Sequence, residues 1–152
     1  MRMKILFASM LSFSALTAAA HAQSSTMTVY KDAYCGCCEG WVEHMKNAGF
    51  NVVVQNMDDM AAVKAKHGVS ASLAGCHTAV VDGYVVEGHV PAVAVKKLLT
   101  DRPEADGIAA PGMPMGSPGM DGPSVSAKAY DVLLFDGEKA DRFGTYKGSQ
   151  EL

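Results

Sequence analysis

From Met27 onward the spacing of apolar positions changes character repeatedly, and each change marks an element. Met27-Thr28-Val29-Tyr30-Lys31 alternates and is rich in β-favouring residues, the period of a strand. From Cys38 onward, Glu39 to Ala48 places Trp41, Val42, Met45 and Ala48 on one face of a helix that Gly49 stops. Phe50 to Gln55 holds Val52-Val53-Val54, a continuous apolar run that predicts a strand covered on both faces. A second helix is expected from about Asp58 to Lys66, capped by Asn56 and ended by Gly68. Thr78 to Val81 and Tyr84 to Glu87 read as strands joined by Asp82-Gly83, a strong hairpin dipeptide. Gly88-His89-Val90-Pro91 then turns into a third helix, Pro91 in its first turn, running to about Thr100.

The resulting order, β-α-β-α-β-β-α with a parallel pair early and a hairpin late, is that of a thioredoxin-like α/β domain. Composition changes beyond it. Residues 102–123 form a Gly/Pro/Met-rich loop, including Pro111-Gly112-Met113-Pro114-Met115-Gly116-Ser117-Pro118-Gly119-Met120, which cannot continue a helix or a central strand. Tyr130 to Phe135 reads as a further strand, Asp136-Gly137 opens a turn, and Phe143 to Tyr146 returns as a C-terminal hairpin. No internal repeat is visible, and residues 23–152 make one domain with a modest core.

Residues 1–22 have the pattern of an export signal. Arg2 and Lys4 give a positive start, Ile5 to Ala18 is mostly apolar, and Ala20-His21-Ala22 is a small-x-small cleavage site with the cut at about Ala22/Gln23. The apolar run is too short for a membrane span. The expected destination is the periplasm. Cleavage would remove two positive charges and move the net charge from −3 to −5. A mildly acidic chain without basic runs is a poor partner for nucleic acid or anionic membranes.

Export to an oxidising compartment sharpens the question of the cysteines. Three of the four lie in Cys35-Gly36-Cys37-Cys38, and the fourth begins Cys76-His77. The cluster falls between a strand and a helix, so the helix N-terminus would aim unpaired N–H groups at the sulfurs and favour thiolates. Three readings stay open. Thiolates could hold a soft metal: Cu(I), zinc or iron–sulfur. Adjacent Cys37 and Cys38 strain at a single tetrahedral ion, so a thiolate-bridged polynuclear Cu(I) cluster uses all four more naturally. Alternatively, Cys35 and Cys38 form a C-x-x-C dithiol of a thiol–disulfide oxidoreductase, Cys35 attacking and Cys38 resolving. Or two disulfides are inert; a Cys37–Cys76 bridge would contribute roughly 4 kcal/mol by closing about 40 residues, against roughly 2 kcal/mol for Cys35–Cys38.

The other soft donors bear on this choice. His77 is an even choice between ligand and neighbour, because strand alternation points it away from Cys76. His89 reads as a loop or capping residue, and His44 and His67 as solvated helix-surface residues. Met113, Met115 and Met120 lie in a loop with no helical face to bury, and thioethers suit Cu(I) better than zinc. They read either as metal-facing donors or as apolar pegs that pin the loop. Met57 and Met60, flanking a helix start, read as core. No Ser/His/Asp set, paired carboxylates or phosphate loop points to hydrolysis or phosphoryl transfer.

Together Tyr34-Cys35-Gly36-Cys37-Cys38, Cys76-His77-Thr78-Ala79, Gly83-Tyr84-Val85-Val86-Glu87-Gly88-His89-Val90-Pro91 and Pro111 to Met120 resemble the CopG-type family of periplasmic metal-binding proteins. Many members carry only a label of unknown function, and their genes often accompany copper-resistance systems. The likeness runs from about Thr28 to Tyr146. It implies a thioredoxin-like fold and copper held by Cys35, Cys37, Cys38 and Cys76, with copper ions and other periplasmic copper-handling proteins as partners. One departure is Ser70, where the resemblance leads one to expect a proline after Gly68-Val69.

Overall fold

The computed structural model describes residues 25–152, so the expected export segment lies outside the described residues. Alternation makes β1 (Thr26–Lys31) a central strand: Met27, Val29 and Lys31 share its fully buried face. On one side it pairs in parallel with β2 (Asn51–Asn56), and on the other antiparallel with β3 (Thr78–Val81). A hairpin links β3 to β4 (Tyr84–Gly88), with Asp82 and Gly83 both at positive φ (49° and 87°), as a type I′ turn demands. Between these strands run α1 (Gly36–Asn47) and α2 (Met60–Lys66), and α3 (Ala92–Asp101) follows β4. The expected β-α-β-α-β-β-α order is present.

The sheet continues past that unit through β5 (Gly107–Ala110), β6 (Ala129–Asp136), β7 (Lys139–Lys147) and β8 (Gln150–Glu151). Eight strands form one sheet in the order β2-β1-β3-β4-β5-β6-β7-β8. The C-terminal hairpin is present as β6 and β7. One core joins Trp41, Val42 and Met45 of α1 and Val95 and Leu98 of α3 to Met27, Val29, Val86 and Ile108 of the sheet. A smaller cluster of Val69, Leu73, Val85, Ala109 and Phe135 covers the opposite face.

Four expectations need correcting. β2 is not covered on both faces; it is the sheet's edge strand, with Val53 46% and Val54 36% exposed. A continuous apolar run carries no information about whether a further strand lies beyond it. α1 begins at Gly36, so Cys37 and Cys38 lie inside its first turn rather than before it. The cap of α2 is Asp59, whose Oδ1 accepts from the Ala62 N–H at 2.9 Å, and not Asn56, which ends β2. Finally, the segment 102–123 does contain a central strand, β5. Gly107 lies so close to the Val85 backbone that a Cβ there would sit 2.0 Å from the Val85 oxygen. Small residues, which read as loop composition, are what this close pairing needs.

Candidate metal centre

The turn between β1 and α1 is built by Asp32. Its Oδ1 accepts from the Tyr34 N–H at 2.7 Å, and its carbonyl accepts from the Cys35 N–H at 3.2 Å. This places Cys35 at the N-cap of α1 with extended backbone, and its carbonyl takes the first helical bond from Glu39. Cys35 and Cys38 are joined in a disulfide with Cα atoms 5.3 Å apart, whereas Cys37 and Cys76 are free thiols. Cys37 Sγ lies 3.5 Å from Cys35 Sγ and 3.7 Å from Cys76 Sγ. All four sulfurs fall within 4.8 Å of one another. The strand order explains the meeting: β3 neighbours β1, so the segment entering β3 passes beside the turn leaving β1.

Cys38 is buried beneath the turn, and the other three cysteines are half-buried. Burial pushes the Cys76 thiol up to about 11, helped by its hydrogen bond with Cys37 and by that neighbour's charge. The Cys76 thiol therefore holds its proton at neutral pH until something replaces it. A soft cation would do so: sulfur donors at this spacing fit thiophilic ions, and the positive end of α1 favours the thiolate form. The four cysteines thus suit a soft metal by donor type, number and proximity.

His77 turns away from this group, as strand alternation implies. It is fully buried, its ring centroid 4.3 Å from that of Trp41 and 5.0 Å from that of His89. Neither ring nitrogen makes a hydrogen bond, and it is not one of the four clustered ligands. Desolvation, then the neighbouring His89, holds it well below the ordinary 6.5, so the ring is neutral.

His89 does lie in the loop between β4 and α3, as expected, but it is not an exposed loop residue. It is fully buried, and its Nδ1 lies 2.8 Å from the Pro118 carbonyl; a carbonyl only accepts, so Nδ1 carries the proton. His44 and His67 are not plainly solvated either. His44 Nε2 accepts from the Ala92 N–H at 3.0 Å and so satisfies the start of α3. His67 is half-buried against the Tyr30 ring, centroids 5.4 Å apart.

The methionine-bearing loop is fastened at both ends to the cysteine segments. Gly112 bridges to Gly75, the residue before Cys76, and its N–H donates to the Ala74 carbonyl at 2.9 Å. Gly119, at φ 81°, lies on the first turn of α1, where a Cβ would sit 2.4 Å from the Cys37 oxygen. Between these anchors Met113 is 57% and Met115 48% exposed, and Met120 is half-buried. Met113 and Met115 are therefore not apolar pegs. Glycine contact and the His89–Pro118 bond hold the loop instead.

Sequence patterns missed several residues that build this site. Glu87, fully buried, accepts from the Gly75 N–H and the Thr78 hydroxyl on either side of Cys76-His77, and from the Lys64 ammonium. Lys31, also fully buried, pairs with Glu39 of α1 at 2.7 Å. A charged residue on the inward face of an otherwise apolar strand was the visible signal for both.

Two solved structures resemble this chain in sequence and fold. "Copper resistance protein copG- Form 2" is 42% identical, matching over 82% of this chain and 99% of its own with a TM-score of 0.76. The chain belongs to the CopG family. "Copper resistance protein copG- Form 1" is 43% identical over 81% of this chain and 98% of its own, with a TM-score of 0.74. A family model described as "Protein of unknown function, DUF411" matches residues 73–120, the stretch from the Cys76 loop through Met120. Among curated proteins no sequence matches. Nor is any helix of the described residues of this CopG-family chain long and apolar enough to cross a membrane.

Proposed function

We propose that this chain is a periplasmic copper-binding protein of thioredoxin-like fold that holds Cu(I) through Cys35, Cys37, Cys38 and Cys76, serving copper resistance by sequestration or transfer. The supporting observation is the meeting of four sulfurs within 4.8 Å, drawn from segments 39 residues apart between Cys37 and Cys76. The copper-resistance names of the two similar structures support copper as the metal. Reduction of the Cys35–Cys38 bond by an external dithiol adds two electrons and two protons to the pair. Copper then displaces thiol protons. Cys37, in contact with sulfurs on both sides, is placed to bridge, so a polynuclear thiolate cluster accommodates the adjacent Cys37 and Cys38.

Met113 and Met115 are the outer thioether donors, exposed on a loop fastened beside both cysteine segments; they would pass the ion inward or on to another periplasmic copper-handling protein. His77 tunes the nest from beneath as a buried neutral ring.

Anaerobic titration of the reduced protein with Cu(I) against a chromogenic chelator tests this reading. The expected result is more than one copper per chain, with stoichiometry reduced by serine at each cysteine. Wild-type protein that takes no copper from the chelator overturns it.

A second reading, thiol–disulfide oxidoreductase, has one observation in its favour. Cys35 is bonded to Cys38 at a helix start, half-exposed Cys35 outside and buried Cys38 within, the placement of an attacking and a resolving sulfur. Fast insulin reduction beside weak copper binding would favour it.

A further inference from the structure

A carboxylate without solvent exposure is costly to keep unless every oxygen is answered. Glu87, at 0% exposure on β4, is answered three times. Its Oε1 accepts from the Gly75 N–H at 2.7 Å and from the Lys64 ammonium at 2.5 Å, and its Oε2 accepts from the Thr78 hydroxyl at 2.7 Å. Gly75 and Thr78 are the residues immediately before and after Cys76-His77. One rigid group therefore grips both ends of the dipeptide that carries the fourth sulfur. Thr78 sits directly opposite Glu87 in the β3–β4 register, so the upper grip is part of the sheet. The lower grip reaches the incoming loop, where a Cβ on Gly75 would meet the Gly88 Cα at 2.6 Å, so this loop lies flush against the strand bearing the carboxylate. Lys64, from α2, supplies the compensating charge and ties a third element to the same point.

Glu87 is not one of the four clustered metal-type ligands. We propose that Glu87 is a positioning residue: through Gly75 and Thr78 it holds Cys76 Sγ against Cys37 Sγ and thereby keeps the four-sulfur group assembled before any ion arrives. The role deepens the copper reading, since it concerns the same nest. Glutamine at this position keeps the shape of the side chain but has one carbonyl oxygen to offer where two carboxylate oxygens now serve three donors. The Cys76 segment then loses part of its anchorage.

A metal-free measurement separates this role from copper binding. In a background carrying Cys35→Ser and Cys38→Ser, Cys37 and Cys76 are the remaining cysteines. In glutathione buffers these two thiols plus one glutathione disulfide give one protein disulfide plus two glutathione thiols, and the equilibrium is read by alkylation and mass. Glu87→Gln should lower that constant about tenfold, the loss expected of a hydrogen bond to a charged group. Thr78→Val, which removes one grip and leaves the ion pair, should lower it less but measurably. Asp59→Ala, which uncaps α2 and touches neither grip, should lower stability and leave the constant unchanged. An unchanged constant in folded Glu87→Gln overturns the proposal. Should that variant not fold, an unchanged constant in Thr78→Val overturns it equally. Failure of the wild-type protein to bind Cu(I) would sink the copper reading and leave this result standing.

Discussion

At the scale of single residues, Cys37 is the sulfur on which the site turns. It is the one whose contacts reach both the disulfide and the distant thiol, 3.5 Å to Cys35 and 3.7 Å to Cys76. Removing it takes away the sulfur that touches both Cys35 and Cys76, although Cys76 stays within 4.8 Å of the Cys35–Cys38 pair. In the copper titration, Cys37→Ser is therefore expected to cost the most copper per chain while leaving the Cys35–Cys38 bond able to open and close. Equal losses at all four positions would mean that Cys37 has no special bridging place. The cluster itself was plain in the sequence, because three cysteines in four residues have few structural uses. The reach of Cys76 to that cluster was legible only through the expected strand order. Glu87 showed in the sequence only as a charge on an inward strand face, and the part that it and His89 play in building the site was not legible. Their importance comes from the backbone groups they meet across the fold, Gly75 and Pro118, and side-chain periodicity carries no record of backbone partners.

Among the elements, α1 and the 112–120 loop act as a unit. The helix presents its first turn to the sulfurs, and Gly119 lets the loop lie directly on that turn. Alanine at Gly119 would put a Cβ 2.4 Å from the Cys37 oxygen and 2.7 Å from the Trp41 nitrogen, at a φ of 81° that disfavours any side chain. Gly119→Ala should therefore lift the loop from α1, destabilise the fold by about 1–3 kcal/mol, and speed modification of Cys37 by an aromatic disulfide reagent. Unaltered reactivity would show that the loop does not cover the thiol. The element order through α3 was readable because period and turn chemistry agree there. What failed was burial and extent: Val52-Val53-Val54 fell on an edge strand, and β5 hid inside a glycine- and alanine-rich stretch. In both places the deciding quantity is the distance to a neighbouring strand, which no local pattern encodes.

For the whole molecule, the single eight-stranded sheet and its one main core bury histidines as well as apolar residues. Desolvation, the leading cause in each, holds His44, His77 and His89 below the ordinary 6.5. The folded protein therefore binds fewer protons than the unfolded chain once pH falls under that value. Linkage then sets the sign: stability is full above about 6.5, declines as pH drops through and below it, and levels off once the folded rings also protonate. Urea midpoints followed by Trp41 fluorescence should fall between about pH 7.5 and pH 5. A midpoint that rises on acidification would contradict neutral buried rings.

The proposed copper binding requires that folding gather sulfurs from two distant segments into one group that grips the ion. X-ray absorption at the copper edge of the Cu(I)-loaded, reduced protein tests it most directly. Sulfur-only coordination with a copper–copper distance in the scattering is the expected spectrum. Coordination by nitrogen and oxygen, with sulfur absent, would contradict it.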